Sequence, residues 1–107
     1  MTTPESPSRY YVVQMTTTFA SLDEVRERAA ARMAEHIEMS RLLHAEGVLV
    51  MAGAFLDHAG EPVATMGIFT SREAAEEYAR NDPFVRAGEV ASWSIREWAN
   101  IFGSEDV

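Results

Sequence analysis

Four segments of this chain are rich in β-branched, aromatic and other apolar residues. They are residues 9–16, 48–55, 63–70 and 90–102. In the first three, apolar side chains stand at odd and even positions alike; in 48–55, for example, Val50 and Ala52 alternate with Leu49 and Met51. Because successive side chains of a strand point to opposite faces, such strands need apolar cover on both faces. A sheet built from these segments must therefore be covered on both sides.

A helical pattern fills the gap between the first two segments. Ser21 and Glu24 have the spacing of a capping box, in which each side chain accepts a hydrogen bond from a free backbone N–H. Apolar or small residues then recur at three- and four-residue steps over 22–43. We expect one long amphipathic helix here, ended by Gly47.

A second helical pattern precedes the last segment. Thr70 and Glu73 match the capping box again, and a narrow apolar stripe follows in 74–79. Asp82 and Pro83 end this helix and are also a good start for a further short turn, with Asp82 as the cap and Pro83 at the first helical position.

The elements therefore follow the order strand, helix, strand, strand, helix, strand. Two right-handed β-α-β crossovers then give an α+β, ferredoxin-like βαββαβ fold, with a four-stranded antiparallel sheet and both helices on one face. An open apolar face of several hundred Å² is abnormal for a soluble monomer. We therefore expect a homodimer in which the open sheet faces of two copies pack together as a dimeric α+β barrel, with a cavity beside His36.

Length and composition indicate a single domain. The chain has 107 residues and no break in composition, and we place the domain at 9–102, between a disordered N-terminal tail, 1–8, and a C-terminal tail, 103–107. The first eight residues hold neither a basic region nor an apolar run, so no signal peptide or membrane span is expected there. The absence of cysteine is compatible with a reducing compartment, and we expect a cytoplasmic protein.

The charge opposes binding to polyanions. Seventeen acidic residues outweigh nine basic ones, all of them arginine, and the formal net charge is -8. The arginines are scattered rather than clustered into a basic stripe. We therefore expect neither nucleic acid nor an anionic membrane surface as a partner.

His36 is the main candidate for chemistry. It falls on the same arc of the predicted helix as Met33 and Ser40, so its ring points toward the sheet. An inward histidine is either a structural ring bonded to backbone or a group that moves protons in a pocket. Asp82 is equally ambiguous, because an Asp before Pro caps a helix without further function, whereas a carboxylate near the imidazole would orient it. The spacing alone does not show that the two are close.

Strand residues are the candidates for binding a small-molecule ligand. We expect Tyr11 and Trp98 to supply aromatic walls, Arg96 to meet an anionic group, and Ser94 to contact the substrate as well. The alternative is that these side chains belong to the core or to an interface. His44 follows His36 by about 12 Å along a helix, so the two cannot share a metal, and no glycine-rich nucleotide loop is present. We expect neither a metal nor a cofactor.

Two stretches resemble the YCII-related (YciI-like) family. Residues 32–57, RMAEHIEMSRLLHAEGVLVMAGAFLD, are similar to the histidine-bearing helix of that family, followed by a short Ala-Gly strand and an acidic turn. Residues 81–98, NDPFVRAGEVASWSIREW, resemble its Asn-Asp-Pro-Phe block running into the last strand. The Asp-Pro-Phe unit, the following Ala-Gly and Trp98 stand in order at the expected spacing.

The resemblance implies a dimeric α+β barrel in which His36 and Asp82 take the places of the family's paired His and Asp. Related folds include muconolactone isomerase and cofactor-free monooxygenases, and one branch of the family is a dehydrochlorinase of chlorinated hydroxyhydroquinones. The resemblance thus implies a cofactor-independent, lyase-like or isomerase-like enzyme acting on a small aromatic or lactone-like molecule, with His36 as general acid/base and Asp82 orienting it. The alternative is a non-catalytic small-molecule-binding or accessory domain. The chain departs from the family pattern by a longer segment at 16–31 and by Ala54, where a proline often follows the glycine.

Overall fold

The computed structural model describes residues 8–102 of the chain. The predicted tails lie outside this range, apart from Ser8, which begins the first strand. The elements in chain order are β1 (Ser8–Thr17), α1 (Leu22–Arg28), α2 (Ala30–Ala45), β2 (Leu49–Ala54), β3 (Ala64–Phe69), α3 (Arg72–Asn81), α4 (Pro83–Arg86) and β4 (Val90–Asn100). None of the helices within 8–102 combines the length and the apolar character that crossing a membrane requires.

The four strands form one antiparallel sheet. Their order is β2-β3-β1-β4, so β1 and β3 are central and β2 and β4 form the edges. Val13 and Phe69 of the central strands pack with Tyr78 of α3 and Leu43 of α2 on one face of the sheet. The predicted α+β, ferredoxin-like βαββαβ fold is therefore confirmed.

The first helical segment begins and ends where the sequence indicates. The Oγ of Ser21 accepts a hydrogen bond from the N–H of Glu24 at 3.0 Å, and the Glu24 carboxylate accepts one from the N–H of Ala20 at 2.6 Å. The predicted capping box is thus confirmed. Gly47 follows the segment with a φ of 79°, a left-handed conformation that glycine adopts without a Cβ clash.

The segment is nevertheless two helices rather than one, because the chain turns at Ala29. This residue has φ -141° and ψ 38°, outside the helical region. Its N–H still donates to Val25 and its carbonyl still accepts from Met33, so the turn leaves neither group unpaired. Alanine also favours helices, and the local sequence therefore does not mark the break. Ile37, which the apolar pattern includes, is 53% exposed, whereas His36 remains on the inner side.

Helix α3 begins one residue later than the capping pattern indicates. Ser71 rather than Thr70 is the cap, because its Oγ accepts from the N–H of Ala74 at 3.1 Å. The N–H of Thr70 donates instead to the carbonyl of Val48 at 3.0 Å. This bond extends the pairing between the strands to Thr70, and Ser71 is still extended, with φ -144° and ψ 151°, so the first helical residue is Arg72.

Strand β2 contains a bulge that changes the faces of its first residues. Leu49 pairs with Phe69, whereas Met51 pairs with Ile68, so two residues of β2 oppose one of β3. Leu49 is therefore 3% exposed under the helices, and Met51 is 59% exposed on the other face. Strict alternation places both on the same face, and that prediction is wrong because of the bulge.

Buried side chains between the helices and the sheet form two clusters. The first cluster consists of Val13, Met15, Leu49, Phe69, Ala75, Tyr78 and Ala79. The second cluster consists of Phe19, Val25, Ala29, Val63 and Phe84. Members of both clusters line one cavity between them, and this cavity is where the candidate site lies.

Candidate active site

The cavity has a volume of about 250 Å³ and is formed within a single chain. Its wall includes Met15 of the first cluster and Phe19 of the second cluster. Strand β2 contributes Ala52 and Gly53. It lies on the helix-covered face of the sheet. The expectation that two sheets enclose the cavity beside His36 is therefore corrected. The physical reason is that the small side chains of β2 leave space beneath the helices.

Asp82 is fully buried at the start of α4. Its Oδ2 accepts hydrogen bonds from the backbone N–H groups of Phe84 at 2.9 Å and Val85 at 3.2 Å, and Pro83 is the first residue of the helix. The interpretation of Asp82 as a helix cap is therefore confirmed. Since the cap uses one carboxylate oxygen, the other is available to a second partner.

That second partner is His36. Its Nδ1 lies 2.5 Å from Oδ1 of Asp82, so the structure brings together the two residues whose proximity the sequence left open. The ring stands between Phe84 and Tyr78, with centroids 5.6 and 6.0 Å away, and its side chain is 23% exposed. A carboxylate can only accept a hydrogen bond, so Nδ1 carries the proton. Nε2 is then the ring nitrogen available to a molecule in the cavity.

An ion pair holds α2 in this position. Arg32 lies one turn before His36, and its Nε and Nη2 donate to the two carboxylate oxygens of Glu89, each at 2.6 Å. Such bidentate pairs fix geometry as well as contributing energy. Glu89 precedes Val90, which lines the cavity, so the pair ties the helix that carries the imidazole to another wall of the site.

Two hydroxyl groups share the cavity with the imidazole. Tyr78 is 8% exposed, and its burial raises its pKa to about 12; the hydroxyl of Ser40 opposes this rise and the charge of Asp82 adds to it. Although Ser40 is near enough to influence Tyr78, its buried Oγ has no hydrogen bond of satisfactory geometry with any described residue. The sequence pattern marks Ser40 only as an inward-facing small residue. Its four-residue spacing from His36 is the signal that could have identified it.

The strand residues predicted to bind substrate do not line this cavity. The pairing of β4 with β1 places three of them on the sheet face away from the helices: Ser94, Arg96 and Trp98. The Trp98 ring contacts Tyr10, with centroids 6.1 Å apart. Tyr11 packs against the first cluster beneath the guanidinium of Arg72, 5.2 Å from its ring centroid. Within one chain the structure does not bring the four to His36, and their role in substrate binding stays a prediction.

The other two histidines lie outside the cavity. Nδ1 of His44 is 2.9 Å from the carbonyl oxygen of Leu49, and Nδ1 of His58 is 3.0 Å from that of Glu61. Because a carbonyl only accepts, Nδ1 is the donor in both rings. Over residues 8–102, no three His, Asp or Glu side chains come together in a group suited to a metal ion.

Solved structures of other proteins share the architecture. The 5-chloro-2-hydroxyhydroquinone dehydrochlorinase TftG from Burkholderia phenoliruptrix, determined in complex with 2,5-dihydroxybenzoquinone, matches with a TM-score of 0.60 and 18% identity, over 83% of this chain and 92% of that one. Rv0793 from Mycobacterium tuberculosis matches with a TM-score of 0.51 and 12% identity, over 91% of this chain and 98% of that one. At these identities the likeness shows the fold alone. No curated protein matches the sequence.

Family membership follows from the sequence itself. The YCII-related domain matches residues 10–99, almost all of the described part of the chain. The match spans α2 with His36, the Asp82 cap and the last strand, which are the features that carry the resemblance. This chain therefore belongs to the YCII-related family.

Proposed function

We propose that the protein is a cofactor-independent enzyme that acts on a small ring compound by acid–base chemistry. The observation that carries the proposal is the 2.5 Å contact between His36 Nδ1 and the buried Asp82 carboxylate, at the wall of a cavity. A base oriented by a second group is the arrangement expected of a proton-transfer site. Family membership and the fold shared with a dehydrochlorinase are consistent with it, although fold alone does not fix function.

In this proposal Nε2 of His36 takes a proton from the substrate, and Asp82 stabilises the imidazolium that forms. In an isomerisation the same proton returns to a different atom of the substrate. In an elimination the electron pair of the broken C–H bond forms the new double bond, and chloride leaves with the pair of the C–Cl bond. Proton transfer of this kind contributes about 10²- to 10⁴-fold to a rate.

The cavity favours a molecule with a single ring. Its volume of about 250 Å³ is just below the range of roughly 300–1,000 Å³ typical of ligand pockets. Apolar walls such as Met33 and Phe84 suit an aromatic, quinone or lactone ring. The dehydrochlorinase that shares the fold was determined with a quinone, which makes quinones a natural first class of ligand to test.

The substitutions His36→Gln and Asp82→Asn test the roles of the pair. In Asp82→Asn the side-chain oxygen could still accept the cap hydrogen bonds of Phe84 and Val85, but the new amide would donate to Nδ1 and move the ring proton to Nε2, which removes the base. Turnover should therefore fall by about 10²- to 10⁴-fold in both variants, while each remains folded. A screen of phenols, quinones and lactones for raised thermal stability supplies ligands for the assay.

His44→Gln is the matched control, because His44 also bonds through Nδ1 but lies outside the cavity. ¹⁵N NMR of His36 checks the tautomer directly, with the proton on Nδ1 in the wild type and on Nε2 in Asp82→Asn. Unchanged turnover in both variants would reject the catalytic roles.

A structural role of the contact is the competing interpretation, since Asp82 caps α4 whether or not His36 is present. It predicts that the His36 and Asp82 variants lose stability with no effect on any ligand. A binding domain without catalysis predicts that ligands raise the thermal stability of the wild type and are recovered chemically unchanged.

A further inference from the structure

The cavity contains a polar group that the proposed mechanism does not use. Ser40 lies one turn after His36 on α2, about 6 Å along the helix axis, and its hydroxyl is buried without a hydrogen-bond partner among residues 8–102. A buried hydroxyl without a partner costs free energy, and native proteins rarely leave one so. Ser40 lines the cavity, so a molecule inside it can supply the missing partner.

Tyr78 adds a second hydroxyl to the same part of the cavity. Its ring is fixed against Phe69, with centroids 4.8 Å apart, and its phenol interacts with Ser40. Burial raises the pKa of Tyr78 to about 12, so the phenol keeps its proton at neutral pH and can donate it. The two hydroxyls together offer donors and acceptors to one oxygen atom.

The surroundings determine the charge that this oxygen can carry. Of the described residues that line the cavity, none is an arginine, and the buried carboxylate of Asp82 is among them. When the imidazole of His36 is neutral, as a base must be before it takes a proton, a ligand carboxylate would enter next to the like charge of Asp82 without a cation to offset it, which is unfavourable in a poorly solvated site. An uncharged phenol hydroxyl or ring carbonyl meets no such penalty.

We propose that Ser40 and Tyr78 form the site that binds an uncharged oxygen substituent of the ring compound, one helical turn from His36. The expected ligands are therefore phenols and quinones, and ring compounds that carry a carboxylate are excluded. This assignment rests on the proposed function in one respect, that a ring compound occupies the cavity. It concerns the binding of that compound and not its turnover.

NMR titration of the wild type with phenol, toluene and benzoate tests the ligand class, because the three share one ring and differ in a single substituent. Phenol should bind most tightly. If phenol binds no more tightly than toluene, or benzoate binds more tightly than phenol, the proposal is overturned. These results do not depend on whether His36 catalyses a reaction, so they are separable from the turnover test of His36→Gln.

Ser40→Ala and Tyr78→Phe test the two residues. Each should weaken phenol binding by about three- to tenfold, the loss of one hydrogen bond, and leave toluene binding unchanged. The ligand-free Ser40→Ala protein should be at least as thermally stable as the wild type, because the buried hydroxyl makes no hydrogen bond of satisfactory geometry with any described residue and its burial costs free energy. Equal weakening of phenol and toluene, or a clear loss of stability in Ser40→Ala, would indicate a structural role and overturn the assignment.

Ser92→Ala and Tyr10→Phe are the matched controls. Ser92 pairs with Thr16, and Tyr10 contacts Trp98, both on the sheet face away from the cavity. Neither control should alter the preference for phenol over toluene. If they reduce it as much as the Ser40 and Tyr78 variants do, the preference does not originate in this cavity.

Discussion

At the scale of single residues, the carboxylate of Asp82 has two structural roles. Oδ2 caps α4 through two backbone N–H groups, and Oδ1 meets the imidazole of His36. The helix start therefore fixes the carboxylate, and the carboxylate fixes the ring. Because removing the whole side chain would affect both, asparagine is the informative replacement and alanine is not.

Tyr78 gives a prediction for alkaline pH. Its pKa of about 12, raised from 10.0 chiefly by burial, means that the folded protein binds the phenol proton more tightly than the unfolded chain does. The resulting stabilisation is fully present below pH 10 and is lost as the pH rises toward 12, at most about 3 kcal/mol.

Chemical unfolding of the wild type and Tyr78→Phe over this range measures the effect. The free energy of unfolding should decline more steeply in the wild type, and the variant should lack the phenolate absorbance change near pH 12. Identical pH dependence in the two proteins would contradict a raised pKa at this position.

At the scale of elements, the start of α3 shows how a strand and a helix compete for one residue. Thr70 and Ser71 both suit a helix cap by residue type. The backbone N–H of Thr70 is bonded to Val48, and the chain stays extended through Ser71, with φ -144° and ψ 151°, so Ser71 and not Thr70 is the cap. The position of the cap is thus decided by the end of the sheet and not by the capping-box pattern.

Ser71→Ala should therefore destabilise the protein by about 1 kcal/mol, since it removes the hydrogen bond to the N–H of Ala74. Thr70→Ala is the matched control and should cost less. Urea unfolding curves of the two variants provide the comparison. A larger loss in Thr70→Ala would mean that the helix begins at the earlier position in solution.

At the scale of the whole molecule, the sheet face away from the helices has one apolar end and one polar end. Strand pairing places at the apolar end Tyr10, Val12, Met51, Ile68 and Trp98, with the charged Arg96 among them opposite Val12. The polar end carries Gln14, Thr16, Ser92 and Ser94. Met51 is 59% exposed and Trp98 is 48% exposed in the single chain, which supports the prediction that a second copy covers this end.

Sedimentation at micromolar concentration should then give a dimer. Trp98→Glu should weaken it by at least about 2 kcal/mol, roughly 30-fold in the dissociation constant, because it replaces a large apolar ring with a charge that the interface must desolvate. Leu42→Glu on α2 is the control, since Leu42 is 49% exposed but lies on a helix. A monomeric wild type, or equal weakening by both substitutions, would refute the predicted interface.

Local sequence was sufficient to predict the order of the strands and helical segments, the α+β class and most helix ends. These follow from side-chain periodicity, the cap at Ser21, the left-handed Gly47 and the Asp82-Pro83 start of α4. It also identified His36 as facing inward and Asp82 as a cap, because both depend on neighbours within one or two helical turns.

Features that depend on residues distant in the chain became apparent only in the folded structure. The 46-residue separation of His36 and Asp82 says nothing of their contact, which arises because α2 and α4 cover the same face of the sheet. The turn at Ala29 and the bulge after Leu49 leave most backbone groups hydrogen-bonded, so the local sequence does not mark them. They nevertheless determine which side chains face the cavity. Ser40 and Tyr78 face the cavity, whereas Ser94, Arg96 and Trp98 do not. The reason is that strand register and helix packing, rather than residue type, determine the direction in which a side chain points.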